Sequence, residues 1–178
     1  FLISRSGFSK QGGYEIHVDN IKAGLELYDH LFEIGKKYNI KPGAPNQAER
    51  IEGGLLSYGN DMLISDNPFE CGFEKLVHLN SNIEFLGKNS LKKILDKGIE
   101  RKLMGVKINS DTINSTNLDL LNNKEIIGNL RSAAFSPAFK KIIGIAMVKK
   151  DYWNLKKKFH MFINNKEVFG EICNLPIL

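Results

Sequence analysis

From Tyr14 to Val18 the chain alternates: Tyr14, Ile16 and Val18 are apolar or aromatic, and Glu15 and His17 fall between them. Alternate residues of a strand share a face, so the apolar trio lies on one side and the Glu/His pair on the other. A second extended run, Phe1–Arg5, precedes it, and the loop SGFSKQGG joins the two. The period then lengthens. Ile21, Leu25, Tyr28, Leu31, Phe32 and Gly35 recur at steps of three and four, the stripe of a helix that starts behind Asp19 or Asn20 as N-cap and runs to about Tyr38. Asn39 and Lys41-Pro42-Gly43-Ala44-Pro45 end it.

A second helix is predicted over Asn46–Ser57, with Ala48, Ile51 and Leu55 facing inward and the turn Tyr58-Gly59-Asn60-Asp61 behind it. Asn46 and Arg50, four residues apart, share one face of that helix. Arg50 with Glu49 and Glu52 reads as an exposed salt-bridge set, the ordinary state of charged residues on a helix. Residues 67–91 are irregular in pattern, and a short helix, Ser90–Asp96, fits between Gly87 and Gly98. Past Gly98 the runs become short and turn-bounded: Leu103–Ile108, Leu118–Leu121, Glu125–Phe135, Ile142–Val148, Phe159–Ile163 and Glu167–Cys173. Asn122-Asn123-Lys124 and Asn164-Asn165-Lys166 are hairpin connectors. The expected fold is therefore α+β: a mixed strand–helix layer over residues 1–98, followed by a small antiparallel, Greek-key-like β-barrel over residues 99–178.

Composition adds bounds. With 178 residues, 42% hydrophobic and 25% charged, the chain is of ordinary globular type and not disordered. No apolar run approaches the ~20 residues of a membrane span, so no membrane partner is expected. Two distant cysteines, Cys71 and Cys173, lack metal-ligand spacing and read as reduced thiols of a cytoplasmic protein. The net charge of +5 gathers lysines at Lys149-Lys150 and Lys156-Lys157-Lys158 beside Tyr152 and Trp153. That mixture resembles a single-strand nucleic-acid surface, but it sits at a turn and no recognition motif accompanies it, so no nucleic-acid partner is expected. His30, His78 and His160 form no metal motif, and the spacing of Gly7–Gly13 is not that of a nucleotide-binding loop.

One constellation carries chemistry. Gly12-Gly13 admits close approach of a flat group, and Glu15 follows directly. A carboxylate there suits a planar partner presenting two parallel N–H donors, such as a guanidinium or a pterin. Phe8 and His17 flank it.

SRSGFSKQGGYEIHV resembles the pterin-contact segment of the folate-dependent aminomethyltransferase family, which includes the glycine cleavage T-protein. ERIEGGLLSYGNDM, NPFECGFEKLVHLNSNIEFLGKNSL and IGNLRSAAFSPAFKKIIGIAMVKK are similar to further segments of that family and come in the same order. The wording SKQGGYE, SYGND and NPFECGF is that of its sulfonium-demethylating branch. The resemblance covers only the C-terminal half of such an enzyme. It implies that the acidic residue near the reacting folate nitrogen precedes Phe1, so no catalytic residue is assigned here.

What the resemblance implies is cofactor binding by Glu15, Phe8 and His17. Tetrahydrofolate would accept a methyl group from a small sulfonium carboxylate, dimethylsulfoniopropionate, and the full-length protein would be a homodimer. Phe8 and His17 stand where that branch carries Trp and Tyr, and Asn46 stands where the T-protein carries Arg. The alternatives are aminomethyl transfer of the glycine cleavage type, demethylation of a methylated amine, and non-catalytic folate binding. The KGCYxGQE signature of family members that act in iron–sulfur maturation is absent.

Overall fold

The computed structural model describes residues 1–8, 10–44 and 46–177, which divide after Asn46 into two units. In the first, β1 (Leu2–Ser4) and β2 (Glu15–His17) form an antiparallel hairpin, with Leu2 opposite His17, Ile3 opposite Ile16 and Ser4 opposite Glu15. Helix α1 (Ile21–Gly35) starts where the cap predicts: the Asn20 side-chain oxygen accepts the Ala23 N–H at 2.8 Å, satisfying one of the donors a helix start leaves free. It tightens into a 3₁₀ turn, Lys36–Tyr38, and stops at Asn39, whose φ of +57° no helix can continue. Ile40 then folds back on Gly35, where any Cβ would come within 2.6 Å of the isoleucine side chain. Of the apolar stripe on α1, Gly35 is buried and Phe32 half-buried, while Ile21, Leu25, Tyr28 and Leu31 are exposed.

The second unit begins with α2 (Gln47–Glu52), half the length predicted. Gly54 adopts a φ of +65° and the Leu55 N–H turns back to the Arg50 carbonyl at 2.8 Å, so Leu55 and Ser57 lie beyond the helix. Ala48 and Ile51 are buried as expected. Helix α3 (Lys88–Lys97) lies between Gly87 and Gly98, close to its predicted bounds.

The barrel follows: β3 (Arg101–Ile108), β4 (Asp119–Asn122), β5 (Glu125–Ser136), β6 (Lys141–Lys149), β7 (Lys158–Ile163) and β8 (Lys166–Cys173). They close in the order β3-β6-β5-β4-β7-β8, every neighbouring pair antiparallel. The α+β class with a closed antiparallel barrel is thus the one the sequence predicts. Asn123, Asn164 and Asn165 take the positive φ that tight hairpin connections require, which is why asparagine pairs mark them. Met104, Val106 and Ile108 of β3 alternate into the interior with Leu130, Val148, Met161 and Ile172. Leu103, Ile143, Ile145 and Met147 point outward, but against Ile51, Cys71 and Ile177. Strand β6 is therefore buried on both faces, and its sequence reads as an unbroken apolar run where a half-exposed strand would alternate. At Gly105 the C-terminal segment crosses the wall so closely that a Cβ would lie 2.5 Å from the Asn174 carbonyl oxygen.

Strand β5 carries a bulge. Leu130 pairs with Ala146 and Ser132 with Ile145, leaving Arg131 as the extra residue. Arg131 and Ser132, though consecutive, both reach the 61–66 segment: Arg131 approaches Asp66, and the Ser132 hydroxyl donates to Asp61. Among the described residues no helix is long and apolar enough to cross a membrane.

Candidate functional site

The Glu15 site is built by the hairpin. Strands β1 and β2 pair so that Ser4 lies opposite Glu15, the first residue of β2. The Ser6 hydroxyl donates a hydrogen bond to one Glu15 carboxylate oxygen, a contact across the neck of the loop. Glu15 forms no ion pair among the described residues, and its other oxygen has no partner there. Phe8 lies in the loop, 40% exposed, and His17 follows Glu15 on the same face of the strand. Ser9 falls outside the described residues. A Cβ on Gly12 would meet nothing within 4 Å, so space lies open beside the loop. What this arrangement offers chemically is an anionic acceptor steadied by one hydroxyl, with a free lone-pair edge on the strand face that also carries His17.

Arg50 departs from its sequence reading. It is buried, its Nη1 donating to Asp61 Oδ2 at 2.7 Å and to the Leu55 carbonyl at 3.1 Å, while Nε donates to the Gln47 side chain at 2.8 Å. The carbonyl and carboxylate offered by the turn behind α2 outweigh solvent, because a buried guanidinium needs several acceptors at fixed positions. Glu52 is buried too and accepts a 2.6 Å bond from Ser136 of β5. Asn46 precedes α2 and is not part of it. A second buried cluster lies alongside: Arg101 donates to Glu70 at 2.9 Å and to Asp66 at 3.0 Å, and Arg131 Nη2 is 3.5 Å from the same Asp66 oxygen. The hydrogen bond that Arg101 donates to Glu70 raises the Arg101 pKa above its ordinary value.

A cavity of about 650 Å³ lies within the second unit, lined by Phe69, Phe73, Ile99, Met104 and Trp153. Cys71 lines it. Burial, with Asp66 and Glu70 adding, pushes the Cys71 thiol up to about 11, and burial does the same to Cys173. Both thiols are free, and no cluster of His, Cys, Asp and Glu among the described residues could hold a metal. The basic–aromatic stretch at 149–158 is engaged internally: Tyr152 donates to Glu125 at 2.8 Å, Lys149 pairs with Glu125 at 3.1 Å, and Trp153 donates to the Val148 carbonyl at 2.8 Å.

Comparisons with known proteins agree along the chain. Residues 1–81 match the family described as GCVT N-terminal domain, and residues 101–178 match the glycine cleavage T-protein C-terminal barrel domain. The chain is similar to dimethylsulfoniopropionate demethylase DmdA of Ruegeria pomeroyi, 37% identical over 153 residues, which cover 85% of this chain and 42% of that protein. It is also similar to an aminomethyltransferase of Thermoanaerobacter pseudethanolicus, 33% identical over 167 residues, covering 93% of this chain and 45% of that protein. Among solved structures, the glycine cleavage system aminomethyltransferase T of Bartonella henselae shares the fold, with a TM-score of 0.87 at 23% identity over 99% of this chain and 49% of that one. The chain thus spans less than half the length of these curated relatives. A domain match at each end, in the family's order and over a barrel of the same fold, leaves one assignment: the chain belongs to the glycine cleavage T-protein family.

Proposed function

We propose that the protein carrying this chain is a tetrahydrofolate-dependent methyltransferase that demethylates dimethylsulfoniopropionate to methylmercaptopropionate. One observation carries the reading: Glu15 stands on β2 with a single hydrogen bond from Ser6, no ion pair among the described residues, and a free oxygen. The 37% identity to a demethylase and the wording SKQGGYE, SYGND and NPFECGF favour the sulfonium substrate. Tetrahydrofolate fits the residues present. Its pterin offers an amino group and a ring N–H side by side, the complement of a carboxylate edge, and the open side of Gly12 admits a flat ring. Glu15 would hold the pterin, Phe8 would wall it and His17 would supply a polar contact. Folate supplies N5 as the methyl acceptor.

A sulfonium is an activated donor: when the methyl carbon departs, the bonding pair stays on sulfur and a neutral thioether remains. The protein's task is then mainly alignment of two bound molecules, a device worth roughly 7–11 kcal/mol of barrier. Residues 1–98 would belong to the folate-binding domain and residues 99–178 to the barrel that accompanies it, in a homodimer of the full-length protein. The deciding experiment incubates the full-length protein with dimethylsulfoniopropionate and tetrahydrofolate and follows methylmercaptopropionate. No product, with turnover of a methylated amine or of an aminomethyl group carried on a lipoyl partner, would replace this reading with the second one. That second reading is aminomethyl transfer, which the 33% identity to an aminomethyltransferase favours.

A further inference from the structure

We infer that the cavity at the Trp153 end of the barrel is a binding site for an amphipathic carboxylate, a small acid with an aliphatic or aromatic body. The inference concerns the second unit alone and is independent of the folate reading. The cavity's volume of about 650 Å³ falls within the usual range for small-molecule sites. Its walls are Phe69, Phe73, Ile99, Met104 and Trp153, so most of a ligand's surface would leave water against apolar groups.

One cation breaks this lining. Lys102 extends from β3 on the same face as Met104, is half-buried, and holds its ammonium 4.4 Å from the centre of the Trp153 ring. The indole N–H donates to the Val148 carbonyl, which holds the ring beneath the ammonium. Arg50, Lys88, Arg101 and Arg131, four shielded cations of this unit, each have a carboxylate within 4.0 Å. Lys102 has none among the described residues. Glu74, the one acid of the lining, is exposed and forms no ion pair with Lys102. A half-buried ammonium facing an apolar cavity with only an aromatic face to offset it calls for an anion, and the apolar walls call for a carbon skeleton behind that anion.

The test uses octanoate and 1-octanol, a matched pair differing in charge. Trp153 is the sole tryptophan of the chain, so its fluorescence reports the cavity directly. Octanoate should change it saturably and bind more tightly than octanol. Lys102→Met should weaken octanoate about tenfold or more and leave octanol unchanged, whereas Lys102→Arg should stay within about threefold of the parent. Equal affinity for octanoate and octanol, no saturable response to octanoate, or full octanoate affinity in Lys102→Met would each overturn the site. Should Lys102→Met fail to fold by circular dichroism, the octanoate–octanol difference on the unaltered chain decides alone. Loss of folate binding with octanoate binding intact would strike only the methyltransferase reading.

Discussion

Arg50 and Asp61 form a buried ion pair, Nη1 to Oδ2 at 2.7 Å, with side chains 4% and 0% exposed. Asp61 also accepts the Ser57 N–H at 2.8 Å and a hydrogen bond from the Ser132 hydroxyl, so one carboxylate joins α2, the turn behind it and the bulge of β5. Removing it leaves a buried guanidinium without its counter-charge. Asp61→Ala should therefore cost about 3–5 kcal/mol in urea denaturation. A loss below about 1 kcal/mol would mean that the pair is not what holds residues 47–61 to the barrel.

Gly105 makes a steric prediction. A Cβ there would sit 2.5 Å from the Asn174 carbonyl oxygen and 2.9 Å from the Cys173 sulfur, in two directions the chain cannot yield at once. Gly105→Ala should destabilise by about 1–3 kcal/mol, although alanine is the better strand residue in an open site. A thermal midpoint equal to the parent's would show that the C-terminal segment moves aside freely.

The two thiols set a pH dependence. Burial raises Cys71 and Cys173 from 9.0 to about 11. Below pH ~9 both the folded and unfolded chains keep these protons, and the thiols leave stability unchanged with pH. Between about 9 and 11 the unfolded chain releases protons that the folded chain retains, so stability falls as pH rises. The Cys71→Ala, Cys173→Ala double variant should lose less stability than the parent between pH 8 and pH 10, as measured by urea midpoints at ~25 °C. Parallel losses in the two proteins would contradict the burial of these thiols.

Ser6 should matter through Glu15. Glu15→Gln and Glu15→Ala, which remove the anionic acceptor, should weaken tetrahydrofolate about tenfold or more in calorimetry on the full-length protein. Ser6→Ala leaves the carboxylate but frees it to rotate, and should cost only about two- to fivefold. Equal affinity in parent and Glu15→Ala would remove this carboxylate from any folate site.

The barrel was legible because its signals are local. Asn123, Asn164 and Asn165 supply positive φ at hairpins, and the strands match their predicted spans to within a few residues. Helix α1 was equally plain, given Asn20 and the steps of three and four. Helix α2 was predicted too long because the helix-ending signal of Gly53-Gly54 was passed over: Gly54 takes the left-handed backbone that stops it and packs near Pro176. The other failures are tertiary. Arg50 read as surface because an arginine between glutamates is usually solvated, and Asp61 looked like a turn residue. Only their distance in space reveals the pair. The bulge at Arg131 was hidden for a similar reason, since an extra residue in a strand leaves no mark on composition. The stripe of α1 met the opposite fate: legible as a face, it is largely exposed in the structure.

Barrel closure has a further consequence for self-association. Every strand from β3 to β8 has a neighbour on both sides, with the seam between β4 and β7 narrowed to the single pair Leu121–His160, so closure leaves this sheet no free outer strand. The ribbon of β1 and β2 has two such rims, because it is a sheet of only two strands. Among the described residues, edge-to-edge pairing with a foreign strand is therefore expected at the β1–β2 ribbon, beside the very carboxylate on which the folate reading rests.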